Sequence, residues 1–86
     1  MVTDPDFDPY LVLEVTRDAA PGEIKAAFRK KAQEYHPDRV ADLGALLRAV
    51  AESEMKKINL ANEILSDPVK RQQHDVRAKE RAQREG

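Results

Sequence analysis

The 86-residue chain has no cysteine and no tryptophan, only three glycines, and aromatic side chains at 5%. Without cysteine, disulfide frameworks, zinc fingers, thiol catalysis and iron–sulfur clusters are excluded. No apolar run approaches the roughly 20 residues that span a bilayer. The acidic start, with Asp4, Asp6 and Asp8, is the reverse of the basic segment that opens a secretory signal. A cytoplasmic protein with no membrane segment in this chain is expected. Large apolar side chains are scarce too: hydrophobic residues make up 41%, and alanine supplies about a third of them. A chain this short buries only about 60–65% of the surface it exposes when unfolded. That leaves no room for a cavity the size of a dinucleotide or a flavin, and no cofactor is expected.

What is present is charge. Charged residues reach 36% with a net charge of −1, and the mean hydropathy is −0.71; these describe a charge-laced helical domain. Residues 1–24 hold six acids against the single base Arg17, whereas residues 69–86 hold six bases against three acids. Lys25, Arg29, Lys30 and Lys31 cluster in one short stretch. Such a cluster is most often a solvated helix face; the alternatives are a nucleic acid or an acidic protein partner.

Residues 1–7 read as an arm with little to bury. Asp8-Pro9 is a helix start, an Asp N-cap before proline at the first helical position, and puts Tyr10 and Leu13 on one side of a short helix. Pro21 opens a second helix, with Glu23 in the first turn, where the helix dipole favours an acid. Its apolar positions, Ile24, Ala27, Phe28, Ala32 and Tyr35, recur at helical spacing. Pro37 disfavours a helical His36, so this helix ends near Tyr35. Arg39 to Gly44 reads as a loop, with Asp42 as a cap for the third helix. That helix carries Leu47, Val50, Ala51, Met55, Ile58, Ala61, Asn62 and Leu65 on one face and stops at Ser66-Asp67-Pro68. A last helix is expected from Val69 to about Lys79, with the charged remainder fraying. Two long amphipathic helices joined by about ten residues pack as an antiparallel hairpin. The fold class is therefore all-α: the hairpin, a short first helix against it and a short fourth helix.

The most informative feature is His36-Pro37-Asp38, directly after the basic helix and followed by Arg39. The run Asp8-Pro9-Tyr10-Leu11-Val12-Leu13-Glu14-Val15, then Asp18-Ala19, Glu23 through Ala32 and Tyr35-His36-Pro37-Asp38-Arg39 resembles the first half of a DnaJ-type J-domain. Lys57 through Pro68 and Lys70-Arg71-Gln72-Gln73-His74-Asp75 resemble the end of its third helix and its fourth. The resemblance sets the organisation as an arm over 1–7, a J-domain over 8–76 and a charged tail over 77–86. It implies a monomeric co-chaperone module, not an enzyme, that docks on a DnaK-type heat-shock-70 chaperone and stimulates its ATP hydrolysis. Carried over by position, Lys25, Arg29, Lys30 and Arg39 are the docking cations, and His36, Pro37 and Asp38 the activating triplet. The chain departs from the family at Glu14, where glycine is common, at Lys31, where leucine is common, and at Asn62 and His74, where aromatics are frequent. The segment from Arg39 to Met55 is about five residues longer than in the commonest members and is more like that of TerB-type J-proteins.

Other chemistries fit poorly. Asp4-x-Asp6-x-Asp8 imitates the opening of a calcium loop, but Pro9 replaces the required glycine and Val15 the bidentate glutamate. His36 and His74 are the only histidines and have no cysteine companions, so no metal site is expected. Ser53 and Ser66 have no base at motif spacing. Specific nucleic-acid binding through Lys25, Arg29, Lys30 and Lys31 is opposed by Glu23, Glu34 and the acidic arm. A J-like scaffold without stimulating activity is the remaining alternative, against which the intact triplet stands.

Overall fold

Proline starts four of the five helices in the computed structural model, which describes residues 7–85. These are α1 (Pro9–Leu13), α2 (Pro21–Glu34), α3 (Pro37–Val40) and α5 (Pro68–Glu85); α4 (Ala45–Ser66) begins after Gly44 instead. At the first helical position proline's missing N–H would have no partner anyway, and its φ already suits the helix. The preceding side chain often completes the start. Asp8 Oδ1 accepts from the Tyr10 and Leu11 amides at 3.0 and 3.3 Å. Asp67 Oδ1 does the same for Val69 and Lys70 at 2.9 and 3.4 Å. At α2, Glu23 Oε1 reaches back to accept from the Ala20 amide at 3.2 Å.

The architecture is all-α, with no strand among the described residues. Near the start of α2, Ile24 and Phe28 share a groove with Asn62 and Ser66. At its end Tyr35 lies beside Glu52 and Met55. The two long helices therefore run antiparallel, as the spacing implied. The short α1 lies across α4 and touches α2. Tyr10, Leu13, Ala19, Ile24, Ile58, Ala61 and Leu65 form the buried core, with Phe28, Tyr35 and Met55 partly buried around it. No side chain is left with an unsatisfied buried polar atom among the described residues.

Four expectations need revision. Leu47 and Val50 are not core residues: they are 54% and 50% exposed. Because α2 ends beside Met55, the first turns of α4 have no long helix to face, and only the single turn of α3 reaches Arg48. Arg39 to Gly44 is not wholly loop, since α3 takes up Arg39 and Val40. Asp42 does not cap α4; Gly44 holds that position and provides no side-chain hydrogen bond. The last helix runs beyond Lys79 to Glu85, because Arg77 to Glu85 is built of good helix formers with no glycine or proline. Residues 1–6 of the N-terminal arm, and Gly86, lie outside the described residues; Phe7 packs on the core.

The burial pattern separates two leucine-sized positions on one helix. Ile58→Ala, at 2% exposure, is expected to cost about 2–5 kcal/mol through the cavity it leaves. Leu47→Ala is expected to cost less than about 1 kcal/mol. Urea melts of the two variants check this, and similar losses at both would mean that the start of α4 is covered.

Candidate functional site: the corner between the second and fourth helices

The site begins where α2 can no longer continue. The Tyr35 amide still donates to the Lys31 carbonyl at 3.3 Å and the His36 amide to the Gln33 carbonyl at 3.4 Å. Pro37 has no amide hydrogen, and His36 turns out to φ −61°, ψ 141°. The chain then restarts at once: the Arg39 and Val40 amides donate to the His36 carbonyl at 2.8 and 3.2 Å. His36 also caps this new turn with its side chain, Nδ1 accepting from the Asp38 amide at 3.1 Å. An accepting Nδ1 puts the proton of the neutral ring on Nε2. The triplet is thus the cap and first turn of a helix, the same grammar as Asp8-Pro9-Tyr10 and Asp67-Pro68-Val69 with imidazole in place of carboxylate.

This arrangement holds the Asp38 backbone while leaving its side chain free. The Asp38 side chain is 94% exposed, and its nearest carboxylate oxygen stands 3.7 Å from His36 Nδ1, outside hydrogen-bond reach. His36, Pro37, Asp38 and Arg39 are all exposed. Behind them a groove of about 580 Å³ is lined by Tyr35, Pro37, Val40 and Ala41 on one side and Arg48, Glu52 and Met55 on the other.

Lys25, Arg29 and Lys30 are exposed on α2. At about 100° per residue they spread over some 140° of its solvent side, with Lys25 and Arg29 closer together and Lys30 further round. Lys25 and Arg29 border a second groove with Phe28 and Asn62, which Lys30 does not reach.

The fourth cation of the cluster has a different place. Lys31 lies seven residues after Ile24 and four before Tyr35, on the stripe that faces the core, and its side chain is only 18% exposed. Its stem covers apolar surface while its ammonium emerges at Glu14, to which it is directly paired. Glu14 ends α1 with φ 57° and ψ 47°, the only non-glycine residue with positive φ among the described residues. The left-handed conformation explains why glycine is common there, and the pair joins the two departures at Glu14 and Lys31 into one contact. Hydrogen bonding and attraction to Lys31 hold the Glu14 carboxyl below the usual glutamate range. The same contact raises the Lys31 ammonium above the usual lysine range. The signal was in the sequence, as a lysine at the i+7 position of an apolar stripe.

The far side of α1 is tied to α5 through Tyr10. Its hydroxyl donates to Asp75 Oδ1 at 2.8 Å and accepts from Arg71 Nε at 3.1 Å. Arg71 also donates to the Arg17 carbonyl at 3.0 Å. The guanidinium groups of Arg17 and Arg71 each lie 5.5 Å from the centre of the Tyr10 ring. The His74 ring stands 6.2 Å away and tilted, so it takes part in aromatic contact from the position where a larger aromatic is frequent. Burial is the main reason the Tyr10 phenol is pushed up, with Asp75 adding to it and Arg71 opposing. No group of potential metal ligands occurs among the described residues.

A short helix, an antiparallel pair and a proline-capped acidic corner define the architecture of a J-domain. The profile of the DnaJ domain matches residues 8–75, and the chain belongs to that family. It is 50% identical over 68 residues to the chaperone protein DnaJ of Acidithiobacillus ferrooxidans, covering 79% of this chain and 17% of that one. It is 45% identical over 80 residues to the chaperone protein DnaJ of Helicobacter hepaticus, covering 93% and 20%. With that of Protochlamydia amoebophila it shares 49% over 76 residues, 88% and 18%. The chain spans about a fifth of the length of these relatives.

The Glu14–Lys31 pair has a testable pH signature. A depressed carboxyl contributes stability above its unfolded pKa and loses it as pH falls through the folded value; a raised ammonium contributes below its unfolded pKa and loses it as pH rises through the folded value. Glu14→Gln is therefore expected to lower the melting temperature between about pH 5 and pH 10, with the difference from the parent closing in stronger acid. Glu14→Gly in a Lys31→Leu background is expected to melt above Lys31→Leu alone, because glycine relieves the left-handed conformation. Thermal melts across pH check both.

Proposed function

We propose that the domain is a co-chaperone module that binds a DnaK-type heat-shock-70 chaperone and stimulates its ATP hydrolysis through the corner at His36, Pro37 and Asp38. The observation that carries this reading is the exposed Asp38 carboxylate on a backbone held by the His36 cap. A fixed anion of this kind forms a charge-assisted hydrogen bond with a partner's arginine or lysine without first ordering the loop. Lys25, Arg29, Lys30 and Arg39 provide steering toward an acidic surface, which raises the association rate more than it deepens the final affinity. The domain itself carries out no bond chemistry; hydrolysis belongs to the partner. The module acts as a monomer, in the cytoplasm.

The test separates shape from activity. His36→Asn keeps a side-chain acceptor at the cap, and Asp38→Asn keeps its size; each is expected to change stability by less than about 1 kcal/mol. Both are expected to abolish stimulation of single-turnover ATP hydrolysis by a DnaK-type chaperone. Lys25→Glu with Arg29→Glu is expected to slow association and flatten its salt dependence with the fold intact. Normal melting with full stimulation by Asp38→Asn would reduce the triplet to a turn, and no stimulation by the unaltered domain would make it a scaffold. Tight, salt-sensitive binding to duplex DNA or RNA, with charge-insensitive chaperone binding, would make it a nucleic-acid module.

A further inference from the structure

The family match ends at Asp75, yet α5 continues to Glu85. The inner side of this helix is accounted for: Arg71, His74, Ala78 and Arg81 are half-buried. Its outer side is not. Val69 and Val76, one heptad apart, are 61% and 48% exposed. Each valine is followed by a cation, Lys70 and Arg77, and one heptad further the pair is Gln83 and Arg84. Residues seven apart lie within about 20° of one another on a helix. The outer face is thus a strip about 20 Å long, apolar at its start and basic along one edge.

The cations on this strip differ in how they are engaged. Lys70 pairs with Glu63 at 2.9 Å. Arg77, Lys79 and Arg84 make no ion pair among the described residues. Lys79 stands on the opposite edge from Arg77 and Arg84, with Val76 between; Glu80 is the acid on this face among the described residues, and Asp75, held by the Tyr10 hydroxyl, lines the groove beside Val76. Beside Val76 the strip opens into a groove of about 390 Å³ whose walls include Pro21, Leu65 and Pro68.

We propose that this face of α5 is a docking strip for an acidic amphipathic helix of a protein partner. Such a helix lays its apolar residues on Val69, Val76 and the groove, and its carboxylates against Arg77 and Arg84 on one edge and Lys79 on the other. The exposed valines favour this occupant over a nucleic acid, which would use the cations and leave the valines without a role. A second copy of the chain is disfavoured because it would bring like charges together along the strip. One helix on one helix buries less than a standard protein interface, so the contact is transient.

The experiment titrates the ¹⁵N-labelled chain with a synthetic 21-residue helical peptide having Leu at a and d positions and Glu at e and g. Amide shifts confined to residues 69–84 and to the groove walls around Pro21, Leu65 and Pro68 are expected. Arg77→Glu with Arg84→Glu is expected to weaken binding about tenfold or more, and Val76→Ser about threefold, with unchanged circular dichroism. A peptide with Lys at e and g is expected not to bind. Shifts elsewhere, or equal binding by the charge-reversed variant, would overturn the proposal. So would tighter binding of a duplex RNA than of the acidic peptide, unaffected by Val76→Ser, because it would identify a phosphate-binding edge instead.

Discussion

One missing hydrogen organises the corner. Pro37 cannot donate to the α2 carbonyls, and its ring excludes the helical conformation for His36. The chain must leave α2 there, but its backbone groups still need partners. They find them in a new single turn, with the His36 carbonyl accepting two amides and the His36 ring a third. The turn fixes the Asp38 backbone, and the side chain is in water because no other element packs over it there, whereas Tyr10 at the equivalent position of α1 is buried. The function proposed for the triplet therefore rests on a backbone constraint and does not require a pocket to shape it.

The core is too small to be indifferent to its edges. Its buried side chains come from α1, α2, α4 and the Ala19 connection. Both ends of α1 are secured by polar contacts: Asp8 caps its start, Glu14 reaches Lys31 from its end, and Tyr10 joins α5 through Asp75 and Arg71. These links are half-exposed, and individually each is worth little in water. Together they set where a five-residue helix lies on a longer one.

The parts of the fold legible in the sequence are those decided locally. Asp8-Pro9, Pro21, His36-Pro37 and Asp67-Pro68 mark boundaries through sterics and capping that depend on no distant residue, and the structure places helix ends at each. The apolar stripes also implied the antiparallel pair. What was not legible depends on reach. Leu47 and Val50 continue the α4 stripe without a break, and only the position of the end of α2 leaves them exposed. The continuation of α5 was hidden for the opposite reason: a helix with few apolar residues looks frayed until Arg71, His74 and Tyr10 anchor its first turns. Within the site the triplet was legible as a motif, whereas its nature as a helix cap was not, because histidine is an uncommon acceptor there.

The cluster Lys25, Arg29, Lys30 and Lys31 shows how helix phase divides like residues. Composition treats the four as one patch. At about 100° per residue, however, the step from Lys30 to Lys31 crosses from the solvent side to the buried stripe. A lysine in that place is tolerable only if its stem is covered and its ammonium escapes to an anion, and Glu14 is held where it can serve. The pairing removes Lys31 from the field that α2 presents to a partner. Three cations are left on the outer face, spread around it with no carboxylate within ion-pair distance among the described residues. Diffuse charge of this kind suits steering, which depends on the summed potential at a distance, better than it suits a single tight contact. The tight contact, in the proposed function, is left to Asp38.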